Sequence, residues 1–196
     1  MTLIKDILSY NKQFVEEKRF EPYQTSKYPD KRFCILACMD TRLIELLPQA
    51  LNLKNGDAKI IKTAGAVVSH PFGSIMRSIL LAIYELNAEE VFVIGHYDCG
   101  MGCVNPNKMK YKFIERGIPE STLQTIEYSG INLEAWLKGF DSVKESVKNS
   151  VNIIKNHPLI PENILVHGLI IDPATGKLDV VAEDQHTSKG QGVKAI

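Results

Sequence analysis

Two apolar rhythms divide this chain. Short runs rich in apolar and β-branched residues fall at 32–38, 58–63, 91–94 and 163–171 and read as four strands. The third, Val91-Phe92-Val93-Ile94, has no polar face, which predicts a central strand covered on both sides. Residues 177–182 alternate instead. They follow the turn signal Asp172-Pro173-Ala174-Thr175-Gly176, so they predict an edge strand hairpinned onto the fourth. Between the strands the spacing becomes helical. Residues 2–19 carry one stripe of Leu3, Ile4, Ile7, Leu8, Asn11, Phe14, Val15 and Lys18, with charges opposite. That amphipathic helix suits either its own sheet or a partner subunit. Further helices are predicted at 43–51, at 73–86 (Ile75, Ile79, Leu80 and Ile83 on one face), at 108–116, and over 132–156 with a break at Gly139. Around Pro119 the pattern is less regular, and the tail from Glu183 reads as polar and loose.

Strands alternating with helices predict an α/β fold: a mostly parallel central sheet with helices on both faces. The expected strand order is 2-1-3-4, with strand five antiparallel at the edge and right-handed crossovers. The whole chain, 1–196, reads as a single domain, with 1–30 an N-terminal helix and linker and 183–196 a tail. If the second and third strands flank the first, a switch point opens between strands one and three. Sheets of this kind bind ligands outside the carboxyl ends of their strands at that point. Two distant segments then meet: Cys38-Met39-Asp40-Thr41-Arg42 after the first strand and His96-Tyr97-Asp98-Cys99-Gly100 after the third.

Composition narrows the function classes. Hydrophobic residues make up 44% and charged residues 23%, and a chain of this size buries a core without disulfides or a structural metal. Formal net charge is zero with Lys and Arg scattered, which speaks against nucleic acid or an acidic membrane as partner. No apolar run reaches transmembrane length, and the first residues lack the basic-then-apolar layout of a secretory signal, so a cytoplasmic protein is expected. The four cysteines (34, 38, 99 and 103) then read as thiols or ligands rather than disulfides.

Cys38, His96 and Cys99 form a Cys₂His set, the donor chemistry that tetrahedral Zn²⁺ prefers. Three protein ligands leave a fourth position, kept for water in a catalytic site. Asp40, two residues from Cys38, is the candidate to close it. Arg42 is the competitor, since a bidentate carboxylate–guanidinium pair holds Asp40 away from a metal. Cys34 is expected in the core, on the same side of the strand as Cys38. Cys103 reads as a spare thiol, His157 as solvated, His167 as bonded within the fold and Trp136 as core or subunit interface.

Cys-x-Asp-x-Arg after strand one, a Gly-containing segment after strand two and Gly-His-x-x-Cys-Gly after strand three resemble a β-class carbonic anhydrase, of a compact bacterial type. The motifs cover 32–103, and the order of elements extends the likeness to about 182. The resemblance implies one Zn²⁺ per chain on Cys38, His96 and Cys99, with Asp40 a fourth ligand in a closed state only. It implies Asp40 and Arg42 as the catalytic dyad. Ala64 and Gly65 would line the substrate pocket, with Ala66, Val67 and Gly100 beside them. The implied reaction is reversible hydration of carbon dioxide to bicarbonate and a proton through a zinc-bound hydroxide, in a homodimer or higher homo-oligomer. Tyr97 and His70 are the candidates for passing the proton on. Lys62-Thr63-Ala64 stands where the plant-type pattern has Arg-Asn-Ala, and Asp98 stands where a smaller polar residue is common. Three other readings remain at this stage: hydrolysis of CS₂ or COS at the same site, a non-catalytic zinc-binding module, and thiol redox chemistry at Cys99 and Cys103. The last lacks the Cys-x-x-Cys spacing.

Overall fold

The computed structural model describes residues 2–185. β1 (Phe33–Cys38), β2 (Ala58–Thr63), β3 (Glu90–His96), β4 (Leu165–Ile171) and β5 (Leu178–Ala182) form one sheet in the order β2-β1-β3-β4-β5. The first four are parallel and β5 runs antiparallel to β4, as the apolar rhythm predicts. The register sets Ala37 of β1 opposite Ile94 of β3, so both strands end at the same edge. The chain leaves β1 for β2 on one side and returns to β3 on the other, which opens the expected switch point.

Two apolar layers cover the sheet, and strand alternation assigns residues to them. Cys34 and Leu36 of β1 and Val91 and Val93 of β3 pack beneath α3 (Ser74–Tyr84) and α7 (Val143–Lys155), against Met76, Ile79, Val147 and Ile154. Ile35 and Ala37 of β1 and Ile94 of β3 face α2 (Leu43–Ala50) through Leu43 and Leu47. Cys34 is fully buried in the first layer, as expected of a core residue. Cys38 departs from the alternation and joins the second layer, because it is the last residue of β1 and its sulfur accepts a backbone N–H from beyond β2.

The middle of the chain is more regular than its sequence suggests. α4 (Pro106–Glu115) opens with Pro106, and the Asn105 side chain caps it by accepting the Lys108 N–H at 3.0 Å. The stretch after Pro119, expected to be irregular, is α5 (Glu120–Tyr128). The 132–156 helix splits into α6 (Leu133–Leu137), capped by Asn132, and α7, capped by Ser142. The break falls at Gly139, which packs so closely on the Met101 carbonyl that only glycine fits there.

Three expectations need correcting. His157 is buried, not solvated: its Nδ1 accepts the Leu159 N–H at 3.2 Å and its ring packs on Phe72. Trp136 is 72% exposed, which excludes the core half of its expectation and leaves the subunit-interface half standing. Of the tail, Asp184 is held: it accepts the Val166 N–H and pairs with Lys155, while its own N–H donates to His167 Nδ1. That last bond and a ring stack on Phe92 account for His167 within the fold. The rest of the expected tail, 186–196, lies outside the described residues.

α1 (Leu3–Glu16) answers the question its stripe posed. None of its residues is buried, and Leu3, Ile4, Ile7, Leu8 and Val15 stay more than half exposed. Its apolar face is therefore not covered by its own sheet. Among the described residues no helix is long and apolar enough to cross a membrane.

One close approach positions the site directly. A Cβ on Gly95, the residue before His96, would lie 2.7 Å from Val147 Cγ2 and 2.9 Å from Val143 Cγ2 of α7. Overpacking of this kind typically costs about 1–3 kcal/mol. Gly95→Ala should lose stability in that range in urea denaturation, and an unchanged midpoint would show that α7 is free to lift off the sheet.

Candidate metal centre

β1 and β3 deliver the three candidate ligands to one point. Donor atoms of Cys38, His96 and Cys99 all lie within 4.8 Å of one another, the only such group found among the described residues. Cys38 and His96 are buried and Cys99 is half-buried. The two sulfurs are 3.8 Å apart. That is much longer than a disulfide, and it equals the ~3.8 Å that two thiolates at ~2.3 Å make across a tetrahedral zinc.

The histidine is set up as a ligand. Its Nδ1 lies 2.8 Å from the Tyr97 carbonyl oxygen, which can only accept, so the proton belongs on Nδ1 and the lone pair on Nε2. Nε2 is buried and has no hydrogen-bond partner. An unpartnered buried lone pair facing two sulfurs suits a cation ligand. Both sulfurs also accept backbone N–H groups: Cys38 from Gly65 at 3.3 Å, Cys99 from Met101. Such bonds favour the thiolate. Burial opposes them and pushes the Cys99 thiol up to about 11, with the neighbouring Cys38 acting in the same direction. A divalent cation between the sulfurs reverses that balance, because a coordinating thiol is deprotonated outright. The donor set, its spacing and the free Nε2 all fit zinc.

Asp40 is gripped by Arg42. Arg42 Nε donates to Asp40 Oδ1 at 3.0 Å and Nη2 to Oδ2 at 2.9 Å, while the Arg42 backbone N–H also reaches Oδ1 at 2.9 Å. The side-chain fork and that backbone bond hold the Asp40 carboxyl down at about 2. Its pKa is lowered on folding, so the stability it contributes is complete above the ordinary carboxylate range and lost as pH falls through about 2. Asp40 Oδ2 remains 3.7 Å from His96 Nε2, beside the metal position.

The five expected pocket residues separate. Gly65 takes φ 74°, a backbone state that favours glycine, and a Cβ there would meet Phe140 at 2.9 Å and Met101 at 3.0 Å. Gly65 thus acts through its N–H on Cys38. Ala66 is buried beside it. Ala64 and Val67 do line a groove of about 830 Å³, which Met101, Trp136 and Phe140 complete. Gly100 has open space around its Cα and starts the 3-10 turn Gly100–Cys103. Cys103 is exposed and free. Tyr97 donates its hydroxyl to Asp179 at 2.8 Å, and that bond raises its pKa; His70 accepts the Phe72 N–H in the loop before α3. Neither side chain is shown in contact with the metal group, although the Tyr97 carbonyl bonds His96. Met101, Phe140 and the Asp98 partner of Arg42 were not singled out from sequence; only the odd carboxylate in His96-Tyr97-Asp98-Cys99 hinted at the last.

The comparisons with known proteins now bear on this geometry. Residues 33–178 match the carbonic anhydrase family. In structure, the β-carbonic anhydrase isoform I (TvaCA1) of Trichomonas vaginalis superposes with a TM-score of 0.85 at 33% identity, over 93% of this chain and 99% of that one. The chain belongs to the β-class carbonic anhydrase family. YtiB of Bacillus subtilis (strain 168), which carries the carbonic anhydrase name provisionally, is 63% identical over 181 residues, 92% of this chain and 97% of that protein. A carbon disulfide hydrolase of Acidithiobacillus thiooxidans is 29% identical over 177 residues, 84% of this β-class chain and 86% of its own.

If the three donors hold the ion, elemental analysis of the purified protein should find one zinc per chain, and Cys38→Ser should lose most of it. Full zinc content in that variant would remove Cys38 from the ligand set.

Proposed function

We propose that this protein is a zinc-dependent carbonic anhydrase that interconverts carbon dioxide and bicarbonate. The observation that carries the reading is the Cys38–His96–Cys99 donor group with the Asp40 carboxylate gripped by Arg42 beside it. A bound zinc supplies Lewis acidity that makes water nucleophilic at the fourth position. The chain's own residues do the rest. Asp40, ionised across the neutral range, accepts a hydrogen bond from that water and fixes its orientation. Arg42 keeps the carboxylate turned to this task and off the metal. The Tyr97 carbonyl fixes the tautomer of His96, and the Gly65 and Met101 N–H groups support the thiolates. Apolar Met101 and Phe140 form the wall at which a nonpolar substrate enters from the groove.

The gripped carboxylate favours catalysis over a purely structural zinc module, which would use a fourth protein ligand. Carbon disulfide hydrolysis is the second reading, supported by the 29% identical relative. The much greater identity to YtiB supports carbon dioxide. Stopped-flow assays of both substrates separate the two. Asp40→Asn should retain zinc and lower kcat/KM for carbon dioxide by about 10²-fold or more, the usual worth of a positioned proton acceptor. Unchanged turnover in Asp40→Asn would sink the dyad mechanism.

We also infer a homo-oligomer, from the uncovered apolar stripe of α1. Sedimentation velocity should show a dimer or larger species, and replacing Ile4 and Leu8 with Ser should shift it toward the monomer. A monomeric wild type would exclude this arrangement.

A further inference from the structure

Arg42 divides its guanidinium between two partners. Nε and Nη2 hold Asp40, while Nη1 donates to Asp98 Oδ2 at 3.0 Å and Nη2 donates to the Asp98 carbonyl oxygen at 3.1 Å. Four of the five N–H donors an arginine possesses are thus engaged. Asp98 lies between His96 and Cys99, in the left-handed region at φ 53°, a conformation aspartate adopts more readily than most residues. In that conformation its backbone and its side chain both contact one guanidinium. The contact to its carbonyl is available to any residue at this position; the contact to its carboxylate is not.

We propose that Asp98 is a positioning residue for Asp40: by holding Arg42 from the far side, it keeps the fork closed on Asp40 and Asp40 away from the metal. The proposal rests on the zinc reading above. Its logic is competitive. Asp40 Oδ2 already lies 3.7 Å from the free Nε2 of His96, so a small turn brings a second anion to the metal position. What restrains it is a two-toothed pair to Arg42, and a guanidinium with one loose end makes that pair less well. Removing the Asp98 acceptor frees Nη1, loosens the fork and lets Asp40 compete as a ligand. The metal is then bound more tightly and the fourth position is less open to water.

A simple structural role predicts the opposite. The Arg42–Asp98 contacts also tie the Cys38 loop to the His96–Cys99 loop. Were that their only purpose, losing them would spread the ligands and weaken metal binding. The sign of the change in zinc affinity therefore decides between the two.

The experiment measures zinc affinity by competition with a chelating dye, using the full chain as wild type, Asp98→Ala, Asp98→Asn, Asp40→Asn and the Asp40→Asn/Asp98→Ala double variant. Asp98 is an exposed partner, its side chain 85% accessible, so the change should be modest. Asp98→Ala should bind zinc about two- to fivefold more tightly, the range an exposed pair supports, with carbon dioxide hydration reduced. Asp98→Asn keeps an oxygen acceptor and the left-handed preference, so it should fall between Asp98→Ala and wild type. The gain should vanish in the Asp40→Asn background, because Asp40 supplies the extra ligand. Asp98→Gly, which removes backbone strain at φ 53°, should reproduce the gain even if the alanine variant folds poorly. Weaker or unchanged zinc binding in both Asp98→Ala and Asp98→Gly, or a gain that survives Asp40→Asn, overturns the proposal. A wild type that binds zinc but does not hydrate carbon dioxide would defeat the functional reading, while the affinity cycle would still decide the role of Asp98.

Discussion

Parallel strands that pair in register end on the same side, and β1 and β3 do so with Ala37 opposite Ile94. One residue further, β1 ends in Cys38; two further, β3 ends in His96. The metal group, the Asp40–Arg42 fork and the groove all hang from that edge. A one-residue slip between the two strands would exchange their faces and separate the donors. The register is held by burial on both sides: Ile35, Leu36, Val93 and Ile94 are fully inaccessible, and each faces one of the two helix layers. α7 adds a second restraint by lying so close on Gly95 that no side chain fits there. The core therefore acts on function directly, by fixing which side chains emerge together.

The electrostatics at that edge are arranged for a cation that the protein itself does not supply. Two sulfurs and a carboxylate surround the His96 imidazole, and Arg42 binds both oxygens of that carboxylate, Oδ2 of which lies 3.7 Å from His96 Nε2. Lys62 lies near Cys38 and Asp40, but burial lowers its pKa, and its ammonium is turned to the Leu43 carbonyl at 3.3 Å. Burying two thiolates without a counter-ion is costly. The same arrangement becomes favourable once a divalent ion sits between them. A carboxylate held by Arg42 is still an anion near a candidate cation site, which is why the restraint on it matters as much as its presence.

What could be read in the sequence was what depends on spacing within one element. Cys38, Asp40 and Arg42 are local to one strand end, and His96 and Cys99 to one turn, so both halves of the metal group were legible. The bridge between them followed from topology, which the all-apolar Val91–Ile94 run had already made central. Three things were not legible, each for a physical reason. The Arg42–Asp98 contact joins residues 56 apart and depends on one left-handed backbone angle. His157 looked solvated because a Pro follows it, yet it is covered by Phe72 from a segment 85 positions earlier. The packing of Gly65 against Met101 and Phe140 brings in two later segments. Local chemistry is written locally; which groups restrain it is decided by approach between distant segments.

The groove and the donor group are built in part from the same residues. Its wall is not an independent module. Met101 lies two residues after Cys99, and its N–H supports the Cys99 sulfur while its side chain packs where a Cβ on Gly65 would be. Gly65 in turn donates to the Cys38 sulfur. The Met101 carbonyl also lies so close to Gly139 that no side chain fits there, in the break between α6 and α7 that precedes Phe140. A change in the shape of this wall is thus transmitted to the hydrogen bonds on both sulfurs, and a change at the ligands is transmitted to the wall. The shape of the groove and the hydrogen bonds on the two candidate sulfur ligands are thus coupled through three backbone contacts, so neither can be altered without the other.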